Sequence, residues 1–184
     1  MRLLMSIILF GPLWCNAAKA SDSFLDAMDL VRAGHMKEAR SAMLELAEAG
    51  DCDAQSQLSA MLMLGNGGKS NFKEGFKWLT KSAEQGEPLS QMTMGDLHYN
   101  KSGVTNLSCS ANCPDGAPTR DLGVAYKWYL LAERRAFDDK DKAYVAMILA
   151  DIRPGLTQAD KAAGEKLADE WKPSPRMCEL RHYY

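Results

Sequence analysis

A repeat with a period of 36 residues constrains the fold of this chain more than any other feature. The string AEAG at 47–50 returns as AEQG at 83–86, and Gln55 returns at the same interval as Gln91. A Lys-Trp pair also occurs twice, with Trp78 and Trp128 separated by 50 residues. The 14 additional residues fall in SGVTNLSCSANCPDGAPTR, whose composition is typical of a loop. One structural unit is therefore predicted to occur several times along the chain.

Each unit is predicted to contain two helices. The segment AQSQLSAMLML at 54–64 places its apolar residues on one helical face, and FKEGFKWLTKSAEQG at 72–86 does the same. Gly65 follows the first segment and Gly86 ends the second, as expected at helix ends. Because helices this short cannot bury their apolar faces alone, neighbouring pairs must stack. The prediction is an all-α fold, an α/α superhelical solenoid of about four antiparallel helix pairs, in which each tryptophan and a nearby small residue allow close helix packing.

These residues resemble the Sel-one-like repeat family, a relative of the tetratricopeptide repeat. The matching positions of the two clearest units are Ala54, Leu58, Gly65, Gly67, Phe72, Trp78, Ala83 and Gly86, then Met94, Gly95, Leu97, Gly103, Val104, Asp121, Ala125, Trp128, Tyr129 and Ala132. The chain departs from the family pattern at Ser59, Asn71, Gly75, Lys101 and Ala136. The resemblance implies a protein–protein interaction module that acts as an adaptor or scaffold.

The first twenty residues are predicted to be a signal peptide. Arg2 supplies a positive charge, an apolar stretch covers residues 3–14, and Ala18-Lys19-Ala20 is a small-x-small cleavage pattern, so cleavage is expected after Ala20. The apolar stretch is too short to span a bilayer core of ~30 Å. The mature protein is therefore expected to be exported, either periplasmic or secreted, and not inserted in a membrane.

The mature chain is divided into a repeat domain and a tail. The repeat domain covers 21–171, with units at about 22–50, 51–86, 87–136 and 137–171. Within it, a first hairpin is expected to turn at Gly34-His35 and the last to break at Arg153-Pro154-Gly155, with Thr157 as the cap of the final helix. The tail, 172–184, contains prolines and is expected to be irregular.

Charge restricts the class of partner. The formal net charge is −2, and it becomes −4 when Arg2 and Lys19 leave with the signal peptide. Because the sequence has no polybasic patch, nucleic acid and anionic lipid are poor candidates as partners. The expected partner is another protein, either an envelope protein or an effector.

Four cysteines remain after Cys15 is removed: Cys52, Cys109, Cys113 and Cys178. An even number in an exported protein favours two disulfides, and four cysteines allow three pairings. In a stack of helix pairs, the two kinds of turn lie along opposite edges, which favours Cys109–Cys113 and Cys52–Cys178. Reduced thiols or pairing between chains are the alternatives.

Weak catalytic signals are present but in the wrong context. Ser70 and Lys73 form an SxxK string, and KSG at 101–103 and SAN at 110–112 complete the set found in penicillin-recognising serine enzymes. Here KSG precedes SAN, and no segment predicts a strand. Ser70 is expected to cap the helix that starts near Phe72. A serine hydrolase is thus a remote alternative, and the chain is predicted not to be an enzyme.

No cofactor or metal is expected. The cysteines of CSANC at 109–113 with His98 supply fewer ligands than the four that a structural zinc site needs. A disulfide within the loop is the favoured interpretation.

The first helices of the pairs are expected to line a concave surface that binds a partner. By the tetratricopeptide pattern, its residues are Ser56, Ala60, Met63, Leu64, Met92, Asp96, Tyr99 and Asn100. Met63 and Tyr99 are the expected anchors, since flexible apolar and aromatic groups carry much interface energy. The alternative is that these side chains are solvated or lie in the core. The favoured function is an exported scaffold, and an immunity or inhibitor protein that neutralises a toxic effector is the alternative.

Overall fold

The computed structural model describes residues 14–99, 115–136, 138–174 and 178, with the side chains of 14–22 excluded. This part contains eight α-helices, one 3₁₀ turn and no strand, and the predicted all-α solenoid of four helix pairs is confirmed. The helices are α1 (Trp14–Arg32), α2 (Met36–Glu48), α3 (Cys52–Leu64), α4 (Phe72–Glu84), α5 (Pro88–Tyr99), α6 (Leu122–Arg135), α7 (Asp139–Ile152) and α8 (Gln158–Glu170). The odd-numbered helices are called A helices below, and the even-numbered ones B helices.

The starts of the B helices follow the sequence repeat. Their N-cap residues are His35, Asn71, Asp121 and Thr157, at intervals of 36, 50 and 36 residues. The side chains of the last three accept a hydrogen bond from the backbone N–H three residues later, which satisfies a donor that the helix leaves free. The predicted cap at Thr157 is confirmed. The helix near Phe72 is capped by Asn71 and not by Ser70 as predicted, because the helix begins one residue later than a Ser70 cap requires.

A buried glutamine joins each central pair to the one before it. The Nε2 atom of Gln55 donates to the Ala47 carbonyl at 3.0 Å, and Gln91 donates to the Ala83 carbonyl at 3.1 Å. Both bonds reach back eight residues, from an A helix to the end of the preceding B helix, where carbonyls lack helical partners. The repeat of glutamine after 36 residues thus has a structural reason.

Apolar side chains are buried between neighbouring helices rather than inside one pair. Trp78 packs with residues of α1, α2 and α3, and Trp128 belongs to a second cluster that extends to α8. Close approaches depend on glycine: a Cβ at Gly95 would lie 2.7 Å from the ring of Tyr129, and one at Gly164 would lie 2.9 Å from Tyr126. Small residues therefore determine how closely α5 and α8 can approach α6.

The tail after α8 folds back onto the middle of the solenoid. Cys178 is disulfide-bonded to Cys52, with Cα atoms 5.8 Å apart, which confirms that predicted pair. The N–H groups of Ser174 and Cys178 donate to the carbonyls of Glu84 and Gln85, at 2.9 and 2.8 Å. The tail thereby satisfies carbonyls at the C-terminal end of α4. The predicted Cys109–Cys113 pair lies outside the described residues.

None of the helices in the described residues is long and apolar enough to cross a membrane. The helix α1 begins at Trp14, so the predicted cleavage after Ala20 falls within it. The signal peptide stays a prediction.

The contact between Gly95 and Tyr129 predicts a cost for one added methyl group. We expect Gly95→Ala to lower the free energy of unfolding by about 0.5–2 kcal/mol, because overpacking of about 1–3 kcal/mol exceeds the helix-propensity gain of up to ~1 kcal/mol. Gly155→Ala is the control, since nothing lies within 4 Å of its added Cβ. Urea denaturation measures both variants. Equal stability of the two would contradict this packing.

The Cys52–Cys178 bond closes a long loop, with a sequence separation of 126. Because such a cross-link restricts the unfolded chain, we expect Cys178→Ser to lower the free energy of unfolding by about 2–4 kcal/mol. Urea denaturation without reductant measures the difference between the native protein and the variant. Dithiothreitol should remove most of this difference, because it breaks the disulfide of the native protein and the variant has none to break. A difference that survives reduction would mean that the serine, not the lost bond, causes it.

Candidate functional site

One groove of about 400 Å³ is lined by residues of all four hairpins. It lies where α3, α5 and α7 begin, beside the second half of α1. Its lining residues are Phe24, Leu25, Met28, Arg32, Asp53, Ser56, Gln57, Glu87, Pro88, Leu89, Asp138, Lys140 and Asp141. Side chains of the first and last hairpins therefore meet in a single groove, which is called the A-helix groove below.

A hydrogen-bonded cluster supports the wall of the groove between α3 and α5. The Ser90 hydroxyl lies 2.8 Å from Ser82 Oγ and 3.0 Å from Ser56 Oγ, and Ser82 donates to the Cys52 carbonyl at 2.8 Å. The Glu87 carboxylate accepts the backbone N–H groups of Leu89 and Ser90. These bonds hold the start of α5 against α3, so this wall is already ordered before any ligand arrives.

Burial raises the pKa of Glu87, although the hydrogen bonds from Ser90 and the N–H of Leu89 act in the opposite direction. Burial also raises the pKa of Asp141, helped by the neighbouring Asp138. Buried and partly buried carboxylates gain from any cation that approaches them, because the charge they carry is poorly solvated.

The groove combines acidic and apolar side chains. Four carboxylates line it, against two basic groups, Arg32 and Lys140. Its apolar members include Leu25 and Met28, which are half-buried, and Leu89, whose side chain is 52% exposed. An exposed leucine beside carboxylates suits a ligand that offers an apolar group next to a positive charge.

The predicted concave-face residues divide into three groups. Ser56 lines the A-helix groove, and Ala60 and Leu64 are exposed on α3, Leu64 to 54%. Met63 and Met92 instead lie in the core, at 6% and 4% exposed, because α3 and α5 pack against B helices on more than one side. They offer almost no surface to a partner.

Two of the other predicted residues, Asp96 and Tyr99, lie near the end of α5. Asp96 and Tyr99 are partly buried, and Asn100 lies outside the described residues. The Tyr99 hydroxyl donates to Asp151 at 2.9 Å, which joins α5 to α7. Tyr99 is therefore held in place by the neighbouring A helix.

Asp96 accepts hydrogen bonds from two tyrosines. The hydroxyl of Tyr129, which is fully buried, donates at 2.6 Å, and that of Tyr144 at 3.3 Å. Burial raises the pKa of Asp96, opposed by the two hydrogen bonds. Burial and the Asp96 charge raise the pKa of Tyr129 and bring that of Tyr144 to about 12. This polar seam connects α5, α6 and α7.

The sequence did not single out Glu87, Leu89, Asp138 or Asp141 as groove residues. All four lie at the start of an A helix, whereas the tetratricopeptide pattern points to the middle of these helices. A usable signal existed at Leu89, an apolar residue at the position that Asp53 occupies one repeat earlier.

The suspected catalytic residues lie elsewhere. Ser70 and Lys73 line a surface depression with Arg40 and Asp115, away from the A-helix groove. The strings KSG at 101–103 and SAN at 110–112 lie outside the described residues. His98 is partly buried, and burial lowers its pKa. The only grouping of metal-type ligands in the described chain is Cys52, Asp53 and Cys178, and its two sulfurs form the disulfide.

The raised pKa of Asp96 predicts that the stability of the folded protein depends on pH. Because the folded state holds this proton more tightly than the unfolded state, the contribution of Asp96 to stability is greatest below its ordinary pKa of ~3.9 and falls as the pH rises through the raised value. We expect the melting temperature to fall less between about pH 4 and pH 8 in Asp96→Asn than in the native sequence. Tyr129 and Tyr144 stay neutral in this window, and Glu87 is common to both proteins. Parallel pH profiles would contradict the prediction.

Comparisons with known proteins agree with this architecture. Residues 52–87 and 115–136 match the family model described as Sel1 repeat. No curated protein matches the sequence. Among solved structures, the chain is similar to a protective antigen present in uropathogenic Escherichia coli strains that displays an SLR fold, with a TM-score of 0.64 and 21% identity. That match covers 85% of this chain and 30% of the antigen.

A Sel1 repeat protein from Oxalobacter formigenes is also similar, with a TM-score of 0.51 and 24% identity over 78% of this chain and 59% of that one. The chain thus spans less than two thirds of either structure, and identities this low show the fold alone. The two repeat matches, which cover about a third of the chain, and the shared fold show that this chain is a helical repeat protein similar to Sel1 repeat proteins.

Proposed function

We propose that the protein is an exported, non-enzymatic scaffold that binds a segment of another envelope protein in the A-helix groove. The observation that carries the proposal is the groove itself, in which all four hairpins surround an exposed Leu89 with apolar and acidic side chains. The Sel1-repeat fold is commonly a protein–protein interaction scaffold, and the family is generally non-enzymatic.

The dimensions and chemistry of the groove suit a peptide segment. Its volume of about 400 Å³ lies in the range of ~300–1,000 Å³ typical of ligand pockets. Leu25, Met28 and Leu89 can bury one or two apolar side chains of a partner. The carboxylates of Asp53 and Asp141 can pair with a lysine or arginine beside them. A partner segment with an apolar residue next to a basic one is therefore the best fit.

The rest of the concave face extends this surface toward the ends of the A helices. Leu64 is exposed on α3, and Tyr99 is fixed to Asp151 on the face of α5 and α7. Because Tyr99 is already ordered, a partner that packs on its ring loses little side-chain entropy. We keep Ser56, Ala60, Leu64, Asp96 and Tyr99 as contributors, and we leave Met63 and Met92 out because they are buried.

Two features support export. The disulfide between Cys52 and Cys178 belongs to the kind of bond that persists in oxidising compartments and is rare in the cytosol of mesophiles. The sequence of residues 1–20 is of the signal-peptide type. Envelope proteins are therefore the proposed source of the partner.

The exposed Leu89 provides the test. We expect Leu89→Glu to reduce capture of the partner from an envelope extract at least tenfold, because a charge would enter the apolar part of the groove. The variant should fold normally, since a carboxylate in the first turn of α5 interacts well with the helix dipole. Quantitative mass spectrometry of the captured proteins measures the loss.

Leu44→Glu is the matched control, because Leu44 is 40% exposed on a B helix, outside the groove. It should capture as much partner as the native sequence. Equal loss in both variants, or loss in neither, would reject the groove as the binding surface.

A further inference from the structure

A second cavity, of about 740 Å³, lies beside the turn between α3 and α4. It is lined by Arg40 of α2, by residues 68–73 and by Asp115. Because α3 begins at the A-helix groove and ends just before this turn, the two sites are separated by about the length of α3, ~20 Å. This second cavity is called the basic depression below.

The charge of the basic depression is opposite to that of the chain as a whole. Three cationic side chains, Arg40, Lys69 and Lys73, line it against the single carboxylate of Asp115, whereas the chain has a formal net charge of −2. In the part of the chain that the structure describes, neither Lys69 nor Lys73 forms an ion pair. The described residues therefore leave a local excess of positive charge at this turn.

Arg40 is positioned before any ligand arrives. It is partly buried, and its Nη1 donates to the carbonyls of Lys69 and Asn66, at 3.2 and 3.5 Å. The turn lies directly against the guanidinium, since a Cβ at Gly68 would be 3.0 Å from Nη1. Both bonds use Nη1, so the donors of Nε and Nη2 have no partner within the described residues and can bind a ligand.

Two further features of the basic depression favour an anionic ligand. A Cβ at Gly116 would lie 2.9 Å from Cβ of Lys73, so the backbone at Gly116 packs against the stem of this lysine and lowers the entropy that the lysine loses on binding. The hydroxyl of Ser70 and the amide of Asn71 add hydrogen-bond donors to the lining. The depression thus presents both positive charge and neutral donors.

We infer that the basic depression binds an acidic segment of a protein partner, in which two or more carboxylates lie close together. The planar fork of Arg40 matches the geometry of a carboxylate, and Lys69 and Lys73 supply charges for its neighbours. A nucleic acid or an anionic bilayer would extend beyond the depression and meet a chain of negative net charge, which repels it. This site lies apart from the A-helix groove and does not rest on the function proposed for that groove.

The test measures binding of a fluorescein-labelled peptide of sequence GEEEEG to the oxidised protein by fluorescence anisotropy. We expect Arg40→Gln to weaken binding at least tenfold, because a charge-assisted, bidentate contact is lost. The double variant Lys69→Gln, Lys73→Gln should weaken it about tenfold, at about threefold for each exposed pair. Both lysines are exposed, so the double variant should fold normally and keeps the test valid if Arg40→Gln loosens the turn.

Lys77→Gln is the matched control. Lys77 is exposed one turn after Lys73 on α4, pairs with Glu74 and lies outside the depression, so this variant removes the same charge and should change the Kd less than twofold. A peptide of sequence GQQQQG should not bind. Leu89→Glu should also leave binding of the acidic peptide unchanged, because its added charge lies about two Debye lengths away at physiological salt.

The inference would be overturned by a native protein that does not bind the acidic peptide, by equal binding of the glutamine peptide, or by an equal loss in Lys77→Gln. Vesicles of phosphatidylglycerol provide a further arm. Vesicle binding that is lost in the double lysine variant would assign the depression to lipid phosphates and reject the acidic segment. Partner capture through Leu89 is measured separately, so its failure would reject the scaffold function of the groove and leave this site intact.

Discussion

The architecture depends on one constraint: no helix pair of this chain can bury its apolar surface alone. The helices in the described residues are mostly 12–14 residues long, and such helices gain most of their stability from tertiary packing rather than from propensity. Each pair therefore needs its neighbour, and Gln55 and Gln91 fix how consecutive pairs meet. The sequence repeats after 36 residues because each helix pair must form the same contacts with the neighbouring pair.

In a stack held together by nearest-neighbour contacts, the terminal helices have a neighbour on one side only. The last helix, α8, buries only Gly164 and Ala168 and presents charged side chains elsewhere, so it closes the stack with a polar surface. The tail then returns to α3 and α4 through Cys178 and Ser174. This link connects units that are not neighbours in the stack. It makes the middle and the end of the solenoid open together, which a purely linear array does not require.

The fold could be predicted from the sequence because its determinants are local and repeated. The helix pairs are indicated by the two Lys-Trp pairs, by the repeated glutamine and by the glycines at the ends of the apolar segments. The expectation that the turns of the stack lie along two opposite edges placed Cys52 near Cys178. The site was harder to predict. Met63 and Met92 occupy helices that are covered on several sides, so apolar character there says little about which side is open. The groove is lined by residues from all four hairpins, among them Met28 and Asp141, and no local pattern encodes that arrangement. A one-residue shift in a helix start, as at Asn71, also lies below what spacing can resolve.

The position of the groove explains why its acidic residues alone cannot define its ligand. Helix starts attract carboxylates for structural reasons: Asp138 caps α7, and the Glu87 carboxylate accepts two N–H groups at the start of α5. Such charges are partly balanced by the helix dipoles, so they attract a cation less strongly than free carboxylates would. Selectivity must then come from groups with no capping role. Leu89 is the clearest of these, because its side chain is half-exposed and contributes little to the core, while its backbone N–H is already bonded to Glu87. A ligand that covers Leu89 removes apolar surface from water without disturbing the start of α5. Leu89 is therefore expected to contribute more to ligand binding than the other residues of the groove.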